Sequence, residues 1–495
     1  MNHISRRSFV KGIGALPLAL GLPRIARGAE PMLRYDIASP QGQEMLAVYA
    51  GAIQRMQSFA NLTPLHWTWQ WYTHFVTGST TKADEIARVW GTSSTAMSRL
   101  ANETWDTCPH SGQDPNFFLP WHRMFVYYHE RIVRRVSGRQ DFTLPYWDYT
   151  SDDPAKRGVV PVQFRSPDDP VFGVLYRPDR TELANTGQPI QSNNRGDPMK
   201  IGGPMGKANY EMVGSDSGFC RSINSSIHGS IHVLVGDRLG MGTVPYSAGD
   251  PLFWVHHSNI DRMWASWNKN GGINPVDAEW AQQSCVFGDA GGRVSVVMKD
   301  FFDCDVLGYG YDAYIPPPGG TTTTPTTFAL AGAARKVKSE RVATARNAAD
   351  LGARPVHVTM VPVKGASTSG PVLGLDPAHP SMRTYLVLKD LHAWSQPEVL
   401  YEVYLTPTKG GVLDDDSYVG NINFFDAEFH DHGHGSMGTA LGKNLFSFDV
   451  TELLKKIARK RNPNARQALH VTFVPAGTPT PGGKPLVASI DLVRE

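Results

Sequence analysis

Cysteine is scarce: the 495 residues contain four, Cys108, Cys220, Cys285 and Cys304, with no CxxC pair. That excludes a disulfide-built scaffold; one bridge between Cys285 and Cys304 is open to the fold, and geometry decides it. Long apolar runs are missing as well. Past the first thirty residues nothing approaches the ~18 apolar residues that a membrane-spanning helix requires. Charge of one sign is also missing, since the chain carries a formal net charge of +2. Loss of residues 1–29 would remove five basic residues (Arg6, Arg7, Lys11, Arg24, Arg27) and no acid, leaving −3. A mildly acidic chain gives no electrostatic footing for nucleic acid or an anionic membrane surface, so neither is expected as a partner. A small neutral substrate is expected instead. No internal repeat is evident.

What is present begins with an address. SRRSFVKGIGALPLALGLPRIARGA joins Arg6–Arg7 to an apolar run from Ile13 to Leu22 and then small residues. This reads as a twin-arginine signal peptide over residues 1–29, too short to remain as an anchor. It implies export of a folded, often cofactor-loaded chain to the periplasm or beyond, with no membrane attachment after cleavage.

Residues 30–315 are rich in Trp, His and helical apolar spacing. Gln43–Phe59, His122–Val136 and Pro251–Trp267 read as amphipathic helices, with Pro, Gly, Asp and Asn-dense loops over residues 151–220. PPPGGTTTTPTT then opens a linker, taken as 316–354, whose basic, Ala-rich second half is compatible with helix. From 355 to 495 seven short alternating stretches, from HVTMVPV to LVASIDLV, predict an antiparallel β-sandwich.

The histidines are unevenly placed. His122 sits among Phe117, Phe118, Leu119, Trp121, Phe125 and Tyr128, where a helix would bury it. A buried imidazole needs a partner for each ring nitrogen or a metal for one of them. His74 and His110 lie in the same half of the helical domain. In the second half, His228 and His232 are four apart and would share one helix face. The Glu that a zinc-protease helix needs after its first His is Gly229 here, so that chemistry is disfavoured. Asp250–Pro251 forms a good helix start. On that helix His256 and His257 point about 100° apart, so one of them faces a given metal. Asp261, four after His257, is expected to orient the ligand ring. Three histidines plus three, without a carboxylate or thiolate cluster, suit copper, zinc, iron or nickel. Of these zinc does no redox chemistry.

TWQWYTH, CPH, FFLPWHR, LPYWDY, HGSIH and DPLFWVHHSNIDRMW together resemble the tyrosinase and catechol oxidase family of type-3 copper enzymes, across most of residues 40–315. The resemblance implies a mainly α domain whose four-helix-bundle core holds two copper ions. His74, His110 and His122 would hold one; His228, His232 and His257 the other. It implies dioxygen and a small phenol as substrates, with oxidation of o-diphenols to o-quinones and some monophenol hydroxylation. An o-aminophenol oxidase on the same scaffold, or a hemocyanin-like oxygen carrier, is the alternative. Cys108 falls where some members join a cysteine to the histidine ring, here His110, by a thioether. Two positions associated in the family with the phenol-deprotonating water are Asn224 and Gly229, neither a carboxylate, which favours diphenol over monophenol oxidation. The family often places a Phe over the second copper; the loop at Val244–Pro245, before Tyr246, supplies none. Glu130, His129, His66, Asp148, Tyr309 and Tyr311 read as structural.

NFFDAEFHDHGHGSM, FSFDVTELL, LHVTFVPAG and LVASIDLV resemble the C-terminal domain of plant polyphenol oxidases. That implies a cover over the copper site and a latent enzyme, with the Thr/Pro linker as its cleavage region. His430, His432, His434 and Met437 form a His-rich tract compatible with transient copper binding.

Overall fold

The computed structural model describes residues 31–60, 63–74, 82–111, 113–319, 338–366, 372–376, 379–427, 444–460 and 469–495. The signal segment, residues 320–337 of the linker and the tract from His430 to Met437 lie outside them. Among the described residues no helix is long and apolar enough to cross a membrane.

Four helical stretches form the core of the first domain. Pro40–Ser58 starts where the Ser39 side chain accepts from Gly42 N, and it buries Met45, Leu46, Tyr49, Ile53 and Met56 on one side. Phe118–Ser137 stops at Gly138, whose φ of 78° suits glycine and whose N–H caps Arg134 O. Residues 218–235 are helical throughout, as Gly218–Ser222, a π-helical turn over Ile223–His228, and Gly229–Val235. Pro251–Lys269 is buried almost end to end. Its Asp250 cap accepts from Leu252 N and is gripped by Arg180 through two bonds of 2.7 Å, which fixes the angle at which this helix enters the core.

Short strands close this domain. β1 (Met32–Arg34) runs parallel to a later strand, Tyr309–Tyr311, tying the start of the domain to its end. Between them a hairpin, β2 (Ser284–Asp289) and β3 (Gly292–Val297), lays Phe287 against Trp121 and Phe125. With Tyr309–Tyr311 as β4, the β1–β4 pair carries a buried ionic knot. Arg34 Nε bonds Glu130 at 2.9 Å and its Nη1 bonds Asp261 at 2.9 Å. Arg123 takes the other Asp261 oxygen, and the Tyr309 and Tyr311 hydroxyls each donate to Asp261 at 2.6 Å. Glu130 also accepts from Arg134 and from Leu144 N. Burial alone would raise the Asp261 carboxyl, but Arg123 and Arg34 outweigh it and hold the carboxyl below its ordinary range.

The second domain is an antiparallel sheet: β5 (Glu340–Ala345), β6 (Ala349–Asp350), β7 (Val356–Pro362), β8 (Thr384–His392), β9 (Tyr401–Thr406), β10 (Tyr418–Ile422), β11 (Leu445–Asp449), β12 (Leu469–Pro475) and β13 (Leu486–Arg494). The order is β10-β9-β12-β7-β5-β13-β8-β11, with β6 on β13. A Cβ on Gly420 of β10 would meet the Phe448 ring of β11 at 2.5 Å, so the two end strands lie against each other and the sheet wraps around one core. All seven expected strands are present. The boundary at 354 is corrected: β5 and β6 lie within the expected linker and belong to the sheet. ERVATA is small and Ala-rich, so local propensity favours helix, but pairing with β13 and β7 on both sides overrides it. One helix, Thr451–Lys460, was not expected among these strands.

Asp261→Ala leaves two buried guanidinium groups without their shared carboxylate and is expected to cost about 3–5 kcal/mol in urea unfolding at pH 7. Because the Asp261 carboxyl is lowered in the fold, its contribution is full above the ordinary value of about 3.9 and is lost as pH falls through the lower folded value. Acid titration of stability should therefore show a steeper decline in the parent than in the variant below about pH 4.

Candidate metal centre

The elements bring the histidines together from five places. His74 follows the Trp67–Tyr72 helix, which begins where His66 Nδ1 accepts from Thr68 N at 2.9 Å. His66 is thus a cap. His110 lies in the single turn Pro109–Ser111 after the Ala96–Thr107 helix, for which Cys108 is the C-cap. His122 is in the first turns of Phe118–Ser137, His228 ends the π turn, and His232 is one turn further on. His256 and His257 lie on Pro251–Lys269.

Two clusters of ligand atoms result: His74, His110 and His122, and His228, His232, His256 and His257. In the first, ring centroids are 4.9 Å (His74–His110), 5.4 Å (His74–His122) and 5.8 Å (His110–His122) apart. In the second, His228 lies 4.5 Å from His232 and 5.1 Å from His257. The clusters meet where His122 and His257 stack at 4.4 Å and 14°. His256 instead packs on His228, His232 and Tyr149, away from the first cluster.

The hydrogen-bond partners fix where the protons sit. His74 Nδ1 faces Val244 O at 3.3 Å and His122 Nδ1 faces Phe118 O at 2.8 Å. A carbonyl only accepts, so each ring carries its proton on Nδ1. Their Nε2 lone pairs then face each other at 3.2 Å, a repulsion that a cation between them relieves. His232 Nδ1 faces Met241 O at 2.8 Å, which turns its own Nε2 lone pair inward, and Nε2 makes no hydrogen bond. Both ring nitrogens of His257 are likewise without a hydrogen bond. Burial, reinforced by neighbouring histidines, holds His74, His122, His228 and His257 well below the ordinary imidazole range, and burial holds His232 at about 3. Uncharged rings with inward lone pairs, walled by Phe118 and Phe253, are a donor set that fits copper.

Asp261 does not orient His257: its carboxylate is taken by Arg34, Arg123 and two tyrosines, stronger partners than a neutral imidazole one turn away. The Cys108 thiol is buried and donates to the His74 carbonyl. Cys285 and Cys304 are not bridged; all four cysteines are buried and free. His129 stacks on Trp254 at 3.7 Å with Nδ1 toward Gln70, and Asp148 pairs with Arg262, both structural.

Comparison with known proteins bears directly on this arrangement. The model for the common central domain of tyrosinase matches residues 64–215 and 179–270, a span containing all seven clustered histidines. The chain is 27% identical over 464 residues to tyrosinase HcTyr1 of Hahella sp. (strain CCB-MM4), covering 87% of this chain and 93% of that protein. It is 30% identical to the chloroplastic polyphenol oxidase A1 of Vicia faba, over 40% of this chain and 37% of that one. The structure of a latent apple tyrosinase superposes with a TM-score of 0.60 over 94% of this chain and 98% of that one, at 17% identity. Residues 64–270 carry the common central domain of tyrosinase. Tyrosinases are type-3 copper oxidoreductases, and the two clusters are where this chain has the residues to hold two copper ions.

Three residues at this site were not expected individually, and all come from the turn after β10. The Phe425 ring stacks on His232 at 4.0 Å and 10°, and stands 5.5 Å from His228. Asp426 Oδ1 lies 2.8 Å from His110 Nδ1. Asn423 donates to Ser225 O at 2.8 Å inside the π turn. The aromatic over the second cluster is thus Phe425 rather than a residue of the Val244–Pro245 loop; Val244 packs beside it, and Tyr246 is exposed. The available signal was NFFDA itself, a pair of phenylalanines just where strand alternation stops. Asn224 sits at the start of the π turn, and its Oδ1 makes no hydrogen bond. Gly229 is a socket: a Cβ there would lie 2.5 Å from Asn423 Oδ1.

Gly229→Ala should therefore force the Asn423 amide out and cost the full-length chain about 1–3 kcal/mol in urea unfolding, although alanine suits a helix better. Adding Asn423→Gly should return most of that loss.

Proposed function

We propose that this protein oxidises o-diphenols to o-quinones with dioxygen, and that its C-terminal domain keeps it latent. The observation that carries the reading is the pair of histidine clusters in contact through His122 and His257. We assign His74, His110 and His122 to one copper and His228, His232 and His257 to the other. His257 is preferred over His256 because its ring reaches both clusters. When bound, a copper pair supplies two-electron exchange between dioxygen and a phenol.

The chain's own residues do the rest. Val244 O, Phe118 O and Met241 O hold three imidazoles in one tautomer, so the site requires little rearrangement to load. Phe118 and Phe253 exclude water and offer flat walls to an aromatic substrate. No carboxylate side chain is present at Asn224 or Gly229 to accept a phenol proton, which supports diphenol oxidation over monophenol hydroxylation. Phe425 lies flat where an aromatic ring would approach His232, which supports latency. The Thr/Pro linker is the proposed cut region, Cys108 with His110 the proposed thioether pair, and the tract His430, His432, His434 and Met437 a proposed copper-loading element. The basic, apolar N-terminus supports export by the twin-arginine route.

Oxygen uptake by the copper-loaded chain tests the reading. Catechol should be consumed and tyrosine much less so, with limited proteolysis in the linker raising the catechol rate. Comparable rates on both would overturn the diphenolase assignment. Phe425→Ala should raise catechol turnover in the uncut chain at least about tenfold, because the blocked fraction of sites falls. No change would show that Phe425 is not the block.

A further inference from the structure

Resting on the assignment of His110 as a copper ligand, we propose that Asp426 is its positioning residue, so that the domain that closes the site also holds its copper in place. Three assigned ligands have their Nδ1 atoms faced by carbonyl oxygens of the first domain, at Val244, Phe118 and Met241. For His110 the group at Nδ1 is a carboxylate, 2.8 Å away, delivered by the second domain.

The chemistry differs from that of the carbonyls in two ways. A carboxylate oxygen this close to Nδ1 requires the proton to be there, which leaves Nε2 as the donor atom. The negative charge also strengthens the ring as a ligand, as carboxylate–histidine–metal arrangements do elsewhere. His110 needs such help, because it sits on a single turn rather than within a long helix. Asp426 itself is fixed by its chain: Asn423 ties the segment to Ser225 O, Phe425 seats on His232, and Asn444 Nδ2 donates to Asp426 O.

This gives the second domain a role with an order in time. Copper is captured while Asp426 faces His110, and cutting the domain away then removes both the Phe425 block and the Asp426 support. The activated form should release one copper more readily than the latent form.

The test is competition between the full-length copper-loaded chain and a graded chelator, reading copper retained per chain. Asp426→Ala should release one of its two copper ions at about 10- to 100-fold lower chelator than the parent. Asp426→Asn keeps an accepting oxygen without the charge and should fall between. In a His110→Ala background, Asp426→Ala should change nothing further. Retention equal to the parent in Asp426→Ala and Asp426→Asn would overturn the proposal, and so would an equal loss with His110 already removed. Should Asp426→Ala fail to fold, the Asn variant and the double-variant comparison still decide. A parent chain that never holds two copper ions would instead refute the ligand assignment on which the proposal rests.

Discussion

The imidazoles of His74, His122, His228, His232, His256 and His257 share one water-poor interior that disfavours a charge on any of them. Burial, with repulsion between neighbouring rings, holds these six below the ordinary imidazole range, so each has a lone pair that must go somewhere. Hydrogen bonding to backbone carbonyls settles the proton on the outer nitrogen of three rings, and the remaining lone pairs converge. The Nε2 atoms of His74 and His122 face each other at 3.2 Å. The elements that carry these rings are fixed by features remote from them: the Arg180 grip on the Asp250 cap and the Asp261 knot between Arg34 and Arg123. The geometry of the metal centre thus depends on contacts spread through the whole first domain.

The second domain meets this centre through a few residues of one turn. Asn423 enters a space that exists because residue 229 is glycine, Phe425 covers His232, and Asp426 faces His110. Further contacts hold the two domains in register away from the rings. Glu402 accepts from Arg195 N and Gly196 N, and Arg238 N donates to Glu398. The proposed cover is thus held at several points, and a cut in the linker would release them together.

Much of this was legible in the sequence because it is written in local pattern. The Pro40, Phe118 and Pro251 helices announce themselves through caps and apolar spacing, and the histidine motifs fall on or beside them. What was missed depends on long-range partners. Asp261 lies one turn from His257 and reads as its orienting group, yet two guanidinium groups from Arg34 and Arg123 compete for it more strongly, and neither is near in sequence. β5 reads as helix because ERVATA is Ala-rich, and only its neighbours in the sheet make it a strand. The turn after β10 is marked in the sequence only by its paired phenylalanines, and they do not reveal that Phe425 will lie on a histidine nearly two hundred residues earlier.

The most direct measurement is copper content together with the Cu(II) paramagnetic resonance signal of the oxidised, full-length chain. Two copper ions per chain with the signal largely quenched would show that the two clusters hold a coupled pair, as their contact through His122 and His257 requires. Two copper ions with full signal would mean two independent sites, and one ion or none would mean that the seven histidines do not build the centre described.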